Sequence, residues 1–204
     1  MKKHVMAVLV IVALAIALSG CAGKVKYPNY YTLNVPPPPD PAAQQGIRPS
    51  VAIREFRSPS YLRQGAIVYR PSPEQIGFYN YQRWAVDPRE FVTNAVADRM
   101  RASGNFARVS IYDGHSDIDY VLRGRLEKLE EVDYEGQVKV EVAISAQMTK
   151  LSTGATVWSN SVSETGSVAQ RDVPTVVSEM SRTMNRAIEK LLTPLPDSII
   201  ANAN

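Results

Sequence analysis

The chain has 204 residues, 45% of them hydrophobic and 21% charged, the balance of an ordinary folded domain and not of a disordered, fibrous or disulfide-stapled chain. Lys and Arg number 23 against 20 Asp and Glu, and with Lys2 and Lys3 set aside the excess falls to one. That excludes an electrostatic footprint for nucleic acid, and the 184 residues after position 20 suffice for a single domain burying roughly 70% of its unfolded surface.

The chain opens with two lysines and a 14-residue apolar run from Val5 to Leu18. At 1.5 Å per residue the run is short for a bilayer core of about 30 Å, and it has the length of a signal-peptide hydrophobic region. It ends in Leu18-Ser19-Gly20-Cys21, which resembles the bacterial lipobox, where small residues precede a cysteine that is acylated and becomes the mature N-terminus. Residues 1–20 are therefore expected to be a lipoprotein signal peptide and Cys21 the lipidation site. Cys21 is the sole cysteine of the chain, so lipidation leaves none for a disulfide. One acyl chain anchors weakly, at ~0.8 kcal/mol per buried CH₂; two or three anchor stably. Ala22 follows the cysteine; by resemblance to sorted lipoproteins, this favours the outer membrane over inner-membrane retention.

Residues 21–29 read as a lipidated tether, 30–194 as the folded domain and 195–204 as a flexible tail. Tyr30 to Val35 reads as a strand, which Pro36 to Pro39 and Pro41 then break. The proline run is a stiff polyproline II spacer or, alternatively, a partner-binding segment. Ser50 to Phe56 reads as a second strand. Residues 57–86 hold six aromatics, Tyr61, Tyr69, Phe78, Tyr79, Tyr81 and Trp84, with Ile67–Arg70 and Gln75–Tyr79 placed to pair as a hairpin around Pro71-Ser72-Pro73. Asp87-Pro88-Arg89-Glu90 has the chemistry of a helix start, with Asp87 as cap and Pro88 in the first helical position. That helix should end near Ser103-Gly104.

Phe106 to Tyr112 reads as the next strand. Tyr120, Leu122, Gly124 and Leu126 alternate with other residues, and Val138 to Met148 alternate more strictly still, so two long strands follow. A turn at Ser152-Thr153-Gly154 leads into a strand over Thr156–Glu164. Asp172 opens a last helix whose stripe of Val173, Val176, Val177, Met180, Met184, Ala187, Ile188 and Leu191 has helical spacing, and Pro194 ends it. The expected fold is α+β: a single domain, with a mixed, mostly antiparallel sheet and two helices packed on one face.

Catalytic constellations are thin. His115 is the one histidine beyond the signal segment, flanked by Asp113 and Asp117, and an acid–base or metal site needs several convergent groups. No GxSxG, P-loop, HExxH or CxxC pattern occurs. Glu127, Glu130, Glu131, Asp133 and Glu135 read as a solvated strand edge that discourages aggregation. Charge is unevenly laid out: residues 48–108 hold ten Arg, no Lys and five acids, and residues 109–204 hold nine basic and fourteen acidic residues. Arginine interleaved with tyrosine and tryptophan is a composition enriched at protein interfaces. Tyr61, Arg63, Tyr79 and Arg83 are the candidate partner-binding residues; Arg63, Tyr79 and Arg83 are expected to point outward, and Trp84 inward.

The lipobox, Tyr30-Tyr31-Thr32-Leu33, Val51-Ala52-Ile53, Tyr61-Leu62, Ile67-Val68-Tyr69-Arg70 and Tyr81-Gln82-Arg83-Trp84-Ala85, in that order, resemble the ABC-type transport auxiliary lipoproteins, the group that includes the paraquat-inducible protein C lipoprotein. The likeness runs over about residues 30–192, and Tyr-x-Arg-Trp-Ala before a capped helix is its most specific part. The resemblance implies a non-enzymatic, outer-membrane-anchored periplasmic component of an MCE (mammalian cell entry) lipid-transport system. Its partners would be an MCE-domain protein and ABC transporter components, with the membrane reached through the lipid anchor. Phospholipid and a homo-oligomeric copy stay open as further partners. It implies no cofactor beyond the acyl chains on Cys21. Two other readings remain: a structural lipoprotein of an envelope secretion or assembly complex, and an envelope enzyme built on His115.

Overall fold

The structure, a computed structural model, describes residues 26–39, 48–114, 117–134 and 136–196, together with Lys2, Lys3, Met6 and Ile199. Cys21, His115, Pro41 and Glu135 lie outside the described residues. Eight strands form one mixed sheet: β1 (Asn29–Tyr31), β2 (Ser50–Ile53), β3 (Ala66–Ser72), β4 (Gln75–Trp84), β5 (Arg108–Ile111), β6 (Tyr120–Val132), β7 (Lys139–Lys150) and β8 (Thr156–Ser167). Helix α1 (Pro88–Ala102) separates β4 from β5, and α2 (Val173–Leu192) follows β8.

The long β6 organises the sheet. One edge pairs antiparallel with β7 from end to end, and β7 pairs antiparallel with β8. The other edge is shared. Its N-terminal part takes β2 in parallel, with β5 parallel beyond it, and its C-terminal end takes the β3–β4 hairpin, with β1 on the outside. Residues 57–86 thus join the sheet through the expected hairpin, which follows a single 3₁₀ turn at Ser60–Arg63. β4 runs past Tyr79 to Trp84 because its final residues, Gln82, Arg83 and Trp84, find partners in Asn29, Tyr30 and Tyr31.

β1 is shorter than the Tyr30–Val35 expected. Past Tyr31 the chain leaves the sheet toward α2, where the Asn34 amide donates to the Ser181 hydroxyl at 3.0 Å. β2 likewise stops at Ile53, and the Phe56 amide turns to the Thr93 hydroxyl of α1 at 2.9 Å. Both helices start where expected. Asp87 caps α1 by accepting the Arg89 amide at 2.9 Å, and Asp172 caps α2 by accepting the Thr175 amide at 2.9 Å. Burial would raise the Asp87 carboxyl, but the side-chain and backbone hydrogen bonds from Arg89 outweigh it and hold the group below the usual range. Past the end of α1, Gly104 takes φ 69°, the left-handed conformation that ends helices.

Both helices cover one face. Val142, Ile144 and Met148 of β7, Leu122, Leu126 and Leu129 of β6, Val92, Val96 and Met100 of α1, and Met180, Met184 and Ile188 of α2 are all buried in one core. Trp158 of β8 joins it and donates its indole N–H to the Pro194 carbonyl at 3.1 Å. In the C-terminal segment Ile199 is also buried in this core.

The acidic run departs from its expected role as a solvated edge. A register shift between Leu126 and Lys128 changes the parity of β6 and puts Glu131 on the face of Leu129, with Glu130 on the opposite face, and both are buried, Glu130 at 0% and Glu131 at 3% exposure. Each has a partner from the hairpin. Arg70 donates to both oxygens of Glu130, at 2.9 and 3.1 Å, and the Tyr79 hydroxyl donates to Glu131 at 2.8 Å.

Candidate partner-binding site

The four residues expected to meet a partner sit on the 3₁₀ turn and on β4, and the fold treats them differently. Leu62 is buried and pins the turn. Arg63, at its end, stands exposed. The chain then reverses through Gly65, whose φ of 73° favours glycine, and enters β3 with Ala66 opposite Arg83. Arg83 donates to the Gln64 carbonyl at 3.0 Å, and the Trp84 amide donates to the Gly65 carbonyl at 2.8 Å. Arg83 is thus joined to the turn that carries Arg63, and Trp84 is buried as expected.

The tyrosines are committed to the domain. Tyr61 is half-buried and its hydroxyl donates to the Glu127 carbonyl at 3.3 Å. Burial, then the charge of Glu130, raise its phenol pKa. Tyr79 does not point freely outward. Its ring is half-buried with its centre 5.1 Å from that of Tyr69, and its hydroxyl is held by Glu131. Burial and that hydrogen bond push its pKa well up. Burial also raises the Glu131 carboxyl, an effect that the Tyr79 hydrogen bond partly offsets. The close ring contact has a sequence correlate: a side chain at Gly77 would enter the Tyr69 ring, at 2.2 Å from Cβ to Cζ.

Two exposed tyrosines complete the patch. Tyr30 of β1 is 63% exposed and lies opposite Arg83 in the register, and Tyr81 of β4 is 39% exposed with the Lys26 ammonium 4.6 Å from its ring centre. The register between β1 and β4, a pairing across some 50 residues of chain, is what puts Tyr30 there, and no local pattern reveals it. The outer patch is therefore Arg63, Arg83, Tyr30 and Tyr81. Among the described residues no group of three or more His, Cys, Asp or Glu is placed to hold a metal, and no helix is long and apolar enough to cross a membrane.

A family model described as the ABC-type transport auxiliary lipoprotein component matches residues 31–191. The chain belongs to this family. The match takes in every strand except the start of β1, and both helices up to Leu191. Solved structures share the fold. A protein of the DUF330 family from Xanthomonas campestris has a TM-score of 0.68 at 18% identity, over 80% of this chain and 92% of its own. An uncharacterised protein has a TM-score of 0.64 at 13% identity, over 81% and 96%. A hypothetical protein from Chlamydia trachomatis has a TM-score of 0.51 at 7% identity, over 76% and 98%. No curated protein matches the chain. Family membership makes this a transport auxiliary lipoprotein, a cell-envelope protein associated with ABC transport.

Proposed function

We propose that the protein is a non-enzymatic lipoprotein, anchored in the outer membrane through acylated Cys21 and facing the periplasm, that serves an MCE/ABC-type lipid-transport system by contacting its MCE-domain component. The observation that carries this reading is the family match over 31–191, which covers the whole sheet apart from the start of β1. The geometry supports it through the position of the patch. Asn29 at the start of β1 stands eight positions after Cys21, a stretch that at full extension reaches at most about 28 Å. Tyr30, Tyr81 and Arg83 therefore sit within that tether's length of the anchoring membrane, where a partner bridging to it would meet them.

Acylation is tested by mass spectrometry of the mature protein. The expected N-terminal residue is Cys21 carrying acyl chains; an unmodified Cys21 or cleavage elsewhere overturns the anchor.

The contact is tested by capture of the MCE-domain partner with Arg63→Ala combined with Arg83→Ala. Neither side chain supports the core, so the melting curve should stay close to wild type. A hot-spot Arg contributes ~2 kcal/mol or more, and capture should weaken roughly thirtyfold or more. Adding Tyr79→Phe tests the hydroxyl held by Glu131 and should change capture little. Undiminished capture by the normally folded arginine variant removes this surface as the contact.

A further inference from the structure

The sheet face turned away from the helices carries a separate site. In the paired strands Arg123 of β6 lies opposite Gln147 of β7, which lies opposite Ser159 of β8; in the next row of this face Arg125 lies opposite Ser145. Their neighbours Leu122, Leu126, Ile144 and Met148 are buried under the helices, so alternation sends the arginine rows to the other face. The chain leaving β2 adds two more. Ala52 is in register with Val121, and the Arg54 amide donates to the Leu122 carbonyl at 2.9 Å, which places Arg54 beside Arg123. Phe56 packs on Gly124 from the helix side, and Arg57 bridges to Arg125. The result is an open groove of about 750 Å³ lined by Arg54, Arg57, Arg123 and Arg125, with Ser145, Gln147 and Ser159 on its floor and Tyr112 on its wall.

The charges in this groove are not balanced from within. Arg125 pairs with Glu127 at 2.7 Å. Arg57 and Arg123 are exposed and have no ion pair among the described residues. Arg54 lies with its guanidinium carbon 4.2 Å from the Tyr112 ring centre, and its Nε is buried without a hydrogen-bond partner. The single carboxylate of the lining, Glu55, has Arg89 of α1 at 3.7 Å. Like charges gathered around one concavity repel, and a buried N–H without an acceptor has lost its hydrogen bond to water and gained none in return. Both penalties are relieved by an anion with several oxygens.

We infer that this groove binds a phosphate-bearing anion. Planar guanidinium forks match phosphate oxygens in pairs, and the serine hydroxyls and the Gln147 amide supply neutral donors beside them. The volume exceeds that of a lone phosphate and falls in the range of small-molecule sites, so there is room for a phosphate carried on a larger polar body such as a glycerol headgroup. The site lies on a different set of residues from the partner patch, and its test reads no partner binding.

The test uses the full chain in a neutral detergent, with binding followed by thermophoresis. Inorganic phosphate, short-chain phosphatidylglycerol and short-chain phosphatidylcholine are titrated separately. Saturable binding of phosphatidylglycerol, weaker or absent for phosphatidylcholine and for phosphate, identifies an anionic lipid headgroup. Saturable binding of phosphate itself identifies a small free anion. In either case Arg54→Gln with Arg123→Gln should weaken binding at least tenfold, and added salt should weaken it in the wild type. Arg123→Gln and Arg57→Gln, both at exposed positions, carry the same test singly should the double variant not fold. Absence of saturable binding to any of the three probes, or full affinity in the arginine variants, overturns the inference.

Discussion

Arg70→Met should destabilise the fold by about 3–5 kcal/mol, the usual cost of stripping one partner from a buried ion pair. Glu130 is fully buried and Arg70 only 15% exposed, and the guanidinium meets the carboxylate through two hydrogen bonds. The same guanidinium donates to the Pro73 carbonyl at 2.8 Å in the hairpin turn. Arg70 therefore fastens the β3–β4 hairpin to the end of β6, where only two residue pairs, Tyr69 with Glu131 and Arg70 with Val132, join the strands. Methionine keeps much of the volume and leaves the Glu130 charge without its counterion in a low-dielectric interior. For a domain of this size the loss corresponds to a fall in melting temperature of about 10 °C. Adding Glu130→Gln removes the stranded charge. The double variant should recover a large part of the loss, because a neutral buried amide costs less than an unpaired carboxylate. A single variant that melts within 2 °C of wild type, or a double variant that melts below it, would show that the pair is not what fastens the hairpin.

The two buried glutamates also mark where reading the chain locally stops working. Both helices, their Asp caps, the hairpin and the long alternation of β7 follow from patterns that lie within a dozen residues, and each is present. Glu130 and Glu131 belong to a run of acids that looks solvated. Their partners stand 60 and 52 positions away, and the parity change that puts Glu131 on the face of Leu129 comes from a shift of pairing with β7. The inward hydroxyl of Tyr79 escapes a local reading for the same reason. Its neighbours on the chain are polar and aromatic, but the acceptor that turns its hydroxyl inward sits on another strand. Arg54 and Arg57 belong to the arginine-rich stretch 48–108, and Arg123 and Arg125 to the acidic remainder of the chain; strand register is what places all four around one depression.

Phe56→Ala should cost about 3–5 kcal/mol, and its dependence on residue 124 tests how the core and the groove are linked. Phe56 is 1% exposed, and a methyl group built on Gly124 would lie 2.2, 2.3 and 2.5 Å from the Cζ, Cε1 and Cε2 atoms of its ring. The ring thus occupies the space that a side chain on β6 would fill. Gly124→Val alone should destabilise by about 1–3 kcal/mol or more through overpacking. In the Phe56→Ala background the same valine enters the cavity and should cost less, or add stability. The two changes should therefore fall short of additivity by about 0.5–3 kcal/mol, the range for residues in contact. Additive losses in urea unfolding would show that the ring and the glycine do not share one space. The pair also bears on the groove, because Phe56 lies between Arg54 and Arg57, whose amides donate to the Leu122 and Gly124 carbonyls of β6. Loosening the ring should slacken that segment against β6, so Phe56→Ala should weaken anion binding although no atom of Phe56 lines the site.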